Sequence, residues 1–158
     1  MINKLKTQKG FTIIELLFVI LLIGILVWGT IIFLNNSRES ARDAKRLVDV
    51  RRIQTALEFY NIEYGKYPLA EEPIELGTGT ALQLCNEESG GIVGSIVSCQ
   101  SQFIAPIPAD PTSRGKYLYI SDSLGYTLQF KTEADTRLGQ KGIYYAHSEL
   151  IDQDPTVK

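Results

Sequence analysis

The rhythm of apolar and polar positions changes three times along this chain of 158 residues. From Phe11 to Leu34 runs an apolar stretch whose single formal charge is Glu15. At a helical rise of about 1.5 Å per residue the stretch reaches roughly 36 Å, against a hydrocarbon core of about 30 Å. It reads as a membrane-inserted helix. Past Leu34 the pattern turns amphipathic. Leu47, Val50, Ile53, Leu57, Tyr60 and Tyr64 recur at three- and four-residue spacings, one stripe on a helix. The first proline is Pro68, so one helix is expected from Phe11 to about Tyr64, roughly 80 Å at the standard rise. Gly65-Lys66-Tyr67-Pro68 supplies its stop signal, a glycine just past the stripe and a proline soon after.

The third rhythm is period two. Lys116–Ile120 and Tyr126–Phe130 alternate across the turn Asp122-Ser123-Leu124-Gly125, and Gly142–Ala146 forms a third candidate strand. Laid across the helix stripe, this meander (116–147) would bury Leu118, Leu128 and Ile143 or their neighbours. Between helix and meander lies 69–112, rich in Gly, Ser, Glu and Pro. It is expected as a connecting loop with a short helix around Thr80–Leu84, a small strand at Ile92–Val97 and a rigid turn at Pro106–Pro111. The fold class is α+β: a long N-terminal helix, half membrane and half amphipathic, packed against a small antiparallel sheet. A polar tail ends at Asp154–Lys158.

Charge refines this picture. Residues 1–65 carry a net charge of +3 and residues 66–158 carry −5. An acidic outer domain argues against a dedicated nucleic-acid surface. Arg38, Glu39, Arg42, Asp43, Lys45, Arg46, Asp49, Arg51 and Arg52 fill the helix faces beside the stripe. Glu39–Arg42 and Asp49–Arg52 have attractive spacing, and Glu39–Asp43 is repulsive. A solvated helix surface and pairing between subunits both remain open for this run.

Catalysis finds no support. The one histidine, His147, has no activated nucleophile motif around it, and no glycine loop reads as a phosphate cradle. Cys85 and Cys99 with a distant His147 do not make a zinc ligand set, so neither metal nor cofactor is expected. Tyr64, Tyr67, Tyr117, Tyr119, Tyr144 and Tyr145 read as packing and interface residues.

Glu15 is the costly residue. A charge at the centre of a membrane helix costs on the order of 2.5–3.5 kcal/mol, and less near an end. Either Glu15 snorkels toward the headgroups or it waits for a cation that appears on processing or assembly. Lys9-Gly10-Phe11-Thr12-Ile13-Ile14-Glu15-Leu16-Leu17, preceded by a short leader with Lys4, Lys6 and Lys9, resembles the cleavage and methylation signal of type IV pilins and type II secretion pseudopilins. Ile53–Tyr60 followed by Gly65-Lys66-Tyr67-Pro68 is similar to the helix end of many members of that family.

The resemblance implies a peptidase/methyltransferase that cuts between Gly10 and Phe11 and methylates the new Phe11 amine. It also implies that Glu15 of one subunit pairs with that amine on its neighbour during assembly. An α-amino group has an ordinary pKa of about 7.7–8.0, so it supplies the missing cation. The implied layout is a leader (1–10), a membrane and filament-core helix (11–34), its amphipathic continuation (35–65) and a small globular domain (66–158). In that layout 69–112 is a variable surface loop. Implied partners are identical or related subunits, an inner-membrane assembly platform with its ATPase, and membrane lipid before assembly. The resemblance places the large domain outside the cytoplasm, whereas a count of basic residues gives three in the leader against six from Arg38 to Arg52.

An extracytoplasmic location favours a disulfide between Cys85 and Cys99 over two buried free thiols. Gly24 and Gly29 allow either close helix packing or the local loss of helicity that the family shows on assembly. Asp110-Pro111 matches part of the pseudopilin pattern Pro-x-Asp-Pro-Trp-Gly, with Thr112-Ser113 in place of Trp-Gly. Some members bind calcium in a loop between strands. Asp122, Glu133 and Asp135 are the candidates here, with solvated loop acids preferred. The reading is a structural subunit of a type IV pilus, ending at the cell surface. The alternative is a pseudopilin in a periplasmic filament that drives protein export, and a third class is a single-pass protein left uncut after Gly10.

Overall fold

The computed structural model describes residues 10–94, 99 and 101–156. The leader lysines Lys4, Lys6 and Lys9, and Val97 of the expected small strand, lie outside the described residues. Helix α1 runs from Ile13 to Tyr64 without interruption, through Gly24 and Gly29. The chain divides into two units, the first ending at Arg38 and the second starting at Glu39.

In the first unit the apolar residues of α1 are exposed along their whole length, and the helix is long and apolar enough to cross a membrane. Thr30 and Ser37 return their hydroxyls to the carbonyls of Leu26 and Phe33, four residues back. Polar side chains in an apolar helix are satisfied within the helix itself in this way.

The second unit holds the core. Val50, Ile53, Ala56, Leu57 and Tyr60 of α1 are buried, with Leu47 and Tyr64 packed at the margin, so the stripe is the face that meets the sheet. Beyond Tyr64 the chain turns at Gly65, whose φ of +68° is left-handed and whose N–H donates to the Asn61 carbonyl at 2.7 Å. That conformation suits glycine and closes the helix.

Among the described residues eight strands follow: β1 Ala70–Leu76, β2 Gln83–Cys85, β3 Ile92–Val93, β4 Gln102–Ile104, β5 Tyr117–Ser121, β6 Tyr126–Lys131, β7 Ile143–Ala146 and β8 Ile151–Asp152. They form a five-stranded sheet in the order β1-β5-β6-β7-β8 and a three-stranded sheet in the order β3-β2-β4. Neighbouring strands in both sheets run antiparallel.

The meander β5-β6-β7 forms, and it buries Leu128 together with the neighbours of Leu118 and Ile143. Tyr119, Leu128 and Ala146 stand opposite one another and all are buried. With period-two alternation, turning Leu128 inward turns Tyr119 and Ala146 inward with it. Leu118 is therefore only half-buried and Ile143 is exposed. Tyr117, Tyr119, Tyr126 and Tyr144 carry the packing instead, with a buried hydrogen bond from the Tyr119 hydroxyl to the Pro68 carbonyl at 2.7 Å.

The stretch 69–112 is more ordered than a surface loop. It contributes edge strand β1 and the whole three-stranded sheet, and it buries Leu76, Ala81, Leu84, Ile104 and Ile107. β1 hid in the sequence because Glu71-Glu72-Pro73 lacks strand composition. The register shift between Ala70 and Ile74 absorbs the proline at the sheet edge, where it is tolerated. The helix expected at Thr80–Leu84 is absent, and β2 begins there at Gln83. A single 3₁₀ turn follows at Glu87–Ser89.

Candidate processing and assembly site

Three segments carry the residues the sequence singled out. At the N-terminal end, Gly10 and Phe11 precede the helix and are exposed. Thr12 caps it: its carbonyl accepts from Leu16 N–H, and its hydroxyl accepts from Glu15 N–H at 3.4 Å. Thr12 and Glu15 thus occupy the N-cap and third positions of a capping-box spacing, a local sequence signal for the start of α1. Glu15 lies in the first turn of α1. Among the described residues Glu15 makes no ion pair with another side chain. Among the described residues, no atom lies within 4 Å of where a Cβ on Gly10 would stand.

The second segment is a charged cluster where α1 meets the loops around Asp110 and Glu133. Arg46 lies at its centre with its side chain 2% exposed. Its Nη1 donates to Asp43 at 2.6 Å, its Nε and Nη2 to the two oxygens of Asp110 at 2.7 and 3.0 Å, and Nη2 also to Glu133 at 2.5 Å. Asp43 accepts in turn from the backbone N–H groups of Glu133 and Ala134, and Asp110 accepts from Thr112 through both backbone and hydroxyl. Arg42 forks onto Glu133.

Arg42, Asp43 and Arg46, three of the nine residues in the charge run, are therefore neither a solvated surface nor free to pair with other subunits. They form a lock holding the helix to two loops, and Arg42 takes Glu133 rather than Glu39. The electrostatics agree. Burial alone would raise the Asp110 carboxyl, but hydrogen bonds from Arg46 and Thr112 outweigh it and hold the group below its ordinary range. The Arg42 hydrogen bond holds the Glu133 carboxyl low as well, helped by Arg46. Asp49 has no such fork, and its burial pushes it up. The helix spacing of Asp43 and Arg46 hinted at one pair, whereas the partners Asp110 and Glu133, 64 and 87 residues further on, left no local signal.

One other expectation changes here. Glu133 is not a solvated loop acid, because it belongs to this lock. Asp122 caps its own turn, accepting from the N–H groups of Leu124 and Gly125, and Asp135 accepts from Lys141 N–H. The third segment is the disulfide between Cys85 and Cys99, whose Cα atoms lie 5.6 Å apart. His147, just past the end of β7, is buried with its ring nitrogens against the Tyr126 carbonyl and Asp152.

These features define a class: a chain whose N-terminal apolar helix, capped just after a Gly-Phe pair, continues as the spine of a small α+β unit. The model of the prokaryotic N-terminal methylation motif matches residues 5–31. The type II secretion system core protein G of Vibrio cholerae is 27% identical over 143 residues, covering 89% of this chain and 90% of that protein. Its counterpart in Aeromonas hydrophila is 30% identical over 70 residues, 44% of this chain and 49% of that protein. The Escherichia coli K12 protein of the same name is 31% identical over 68 residues, 43% and 47%. No solved structure gives a significant match. The chain thus resembles the family of type IV pilins and type II secretion pseudopilins, by its N-terminal motif and by its likeness to the Vibrio cholerae protein along most of its length. Within it, these relatives favour the secretion alternative over the pilus reading stated from the sequence.

Proposed function

We propose that this chain is a pseudopilin, a structural subunit of a type II secretion filament. The match to the Vibrio cholerae core protein G carries this reading, because it extends past the N-terminal motif and through the globular unit. In this reading the leader is cut between Gly10 and Phe11, Phe11 is N-methylated, and the helix 11–34 holds the subunit in the inner membrane until assembly. Its partners are the prepilin peptidase, other pseudopilins and the assembly platform with its ATPase, and the second unit lies on the periplasmic side. Glu15 pairs with the Phe11 amine of a neighbour as the helices stack. The capped first turn supports that role by fixing Glu15 one turn from the new terminus.

One observation favours the type IV pilus instead: Thr112-Ser113 replaces the Trp-Gly of the pseudopilin pattern. In the structure Thr112 serves the lock, donating to Asp110, so the departure has a local use within the same fold. The test is mass spectrometry of the mature N-terminus combined with fractionation. A chain beginning with N-methyl-Phe11, found in the envelope and required for export of a secreted enzyme, supports the proposal. The same processed chain shed in surface filaments, with export intact in its absence, supports the pilus. A chain still beginning at Met1 refutes both.

A further inference from the structure

The helix of the second unit has a second apolar stripe, on the side away from the sheet. Val48, Phe59 and Ile62 are 59%, 56% and 77% exposed, and Thr55 continues the line between them. Next to this stripe lies an open groove of about 570 Å³, lined by Leu47, Val48, Thr55 and Phe59 of α1 and by Phe103 and Ile104 of β4. Arg51 and Arg52 stand exposed at its edge. An apolar floor with a cationic rim fits an apolar side chain that carries a carboxylate beside it.

The same chain presents such a side chain elsewhere. Leu124, at the tip of the β5–β6 turn, is 88% exposed, the most exposed large apolar residue among those described. A single exposed leucine needs no explanation by itself. This one sits on a turn that is held from all sides. Leu124 and Gly125 donate their N–H groups to Asp122 at 3.0 and 2.9 Å, Ser123 N–H donates to the Ser121 hydroxyl, and that hydroxyl donates to the Gly125 carbonyl. Docking such a turn loses little conformational freedom. Exposed Asp122, two residues before Leu124, supplies the charge that complements Arg51 and Arg52.

We propose that the groove of one copy, between α1 and β4, receives the Leu124 turn of a second copy, with Asp122 facing Arg51 and Arg52. This rests on the reading of the chain as a filament subunit and adds to it which surfaces of the second unit meet. Knob and groove are different patches of one chain, so the contact is head-to-tail and can extend without closing, as a helical filament needs.

The test is cross-linking of the full chain in its own cells, with Val48→Cys and Leu124→Cys combined and a short bis-maleimide as probe. Leu124 and Val48 are exposed and the native cysteines are already paired, so neither substitution disturbs the core; retention of the Cys85–Cys99 disulfide checks this. The expected result is a ladder of dimers, trimers and higher species for the double variant and monomer for each single variant. Three results overturn the proposal: a dimer from Val48→Cys alone, cross-links only to a protein of different sequence, or no ladder while processed chain sediments in filaments. In the last case the filament reading survives. Loss of both processing and filaments defeats the filament reading as well.

Discussion

Replacing Arg46 with Met tests the lock most directly. The guanidinium serves three carboxylates, and the side chains of Asp43 and Asp110 are 1% and 2% exposed. After Arg46→Met, Glu133 keeps Arg42, Asp43 keeps the N–H groups of Glu133 and Ala134, and Asp110 keeps Thr112. What remains uncompensated is the charge on two buried carboxylates. Removing one partner of a buried pair costs about 3–5 kcal/mol, because the survivor stays desolvated without its counter-charge. Since the backbone bonds to Asp43 survive, about 4 kcal/mol is expected. At about 4 °C per kcal/mol for a domain of this size, that lowers Tm by roughly 15 °C.

The assay is denaturation of the full chain in detergent, followed by the near-UV circular dichroism of the buried tyrosines. Arg46→Lys, which keeps the charge and loses the fork, should fall between. The triple change Arg46→Met with Asp43→Asn and Asp110→Asn should recover part of the loss, since no buried charge is left unpaired. A loss under about 1 kcal/mol for Arg46→Met would falsify the claim that these carboxylates depend on Arg46. The pH dependence has a definite sign. Asp110 and Glu133 are held low in the folded state, so their contribution is present above the unfolded-state carboxylate values near 4 and is lost as pH falls through the folded values. Arg46→Met should flatten this acid limb. Asp49, raised by burial, acts with the opposite sign, its contribution fading as pH rises through its folded value.

Reducing the Cys85–Cys99 disulfide, or replacing both cysteines with Ser, should destabilise the second unit by about 3 kcal/mol for a loop of this length, measured as a shift of the denaturation midpoint. Gly77→Ala should cost upward of about 2 kcal/mol, because the added Cβ meets backbone atoms of Pro108 and Ala109 at 2.6 Å in a left-handed conformation. Gly65→Ala shares the positive φ but points into open space, so about 1 kcal/mol is expected by the same thermal melt. Glu15→Ala should insert and be cut at Gly10 yet yield few filaments, read by sedimentation and blotting; wild-type yield would sink the pairing of Glu15 with a neighbour's amine.

The sequence by itself determined the elements whose periodicity is long and strong. The long apolar run, the stripe from Leu47 to Tyr64, the Gly65 stop and the period-two strands all follow from rules acting over a few residues, and α1, β5, β6 and β7 appear where those rules put them. The prepilin-type signal is likewise contiguous. The tertiary structure decided what depends on residues far apart. It chose which face of the meander turned inward, because the sheet register couples Tyr119, Leu128 and Ala146 as one row. It made strands of 69–112, because an edge strand with Glu71, Glu72 and Pro73 is stabilised by pairing with β5 rather than by its own propensity. It also converted three of the nine residues of a charged helix surface, Arg42, Asp43 and Arg46, into a lock. A guanidinium leaves water only where several acceptors converge on it, and Asp110 and Glu133 reach Arg46 only after the chain has folded back onto its helix.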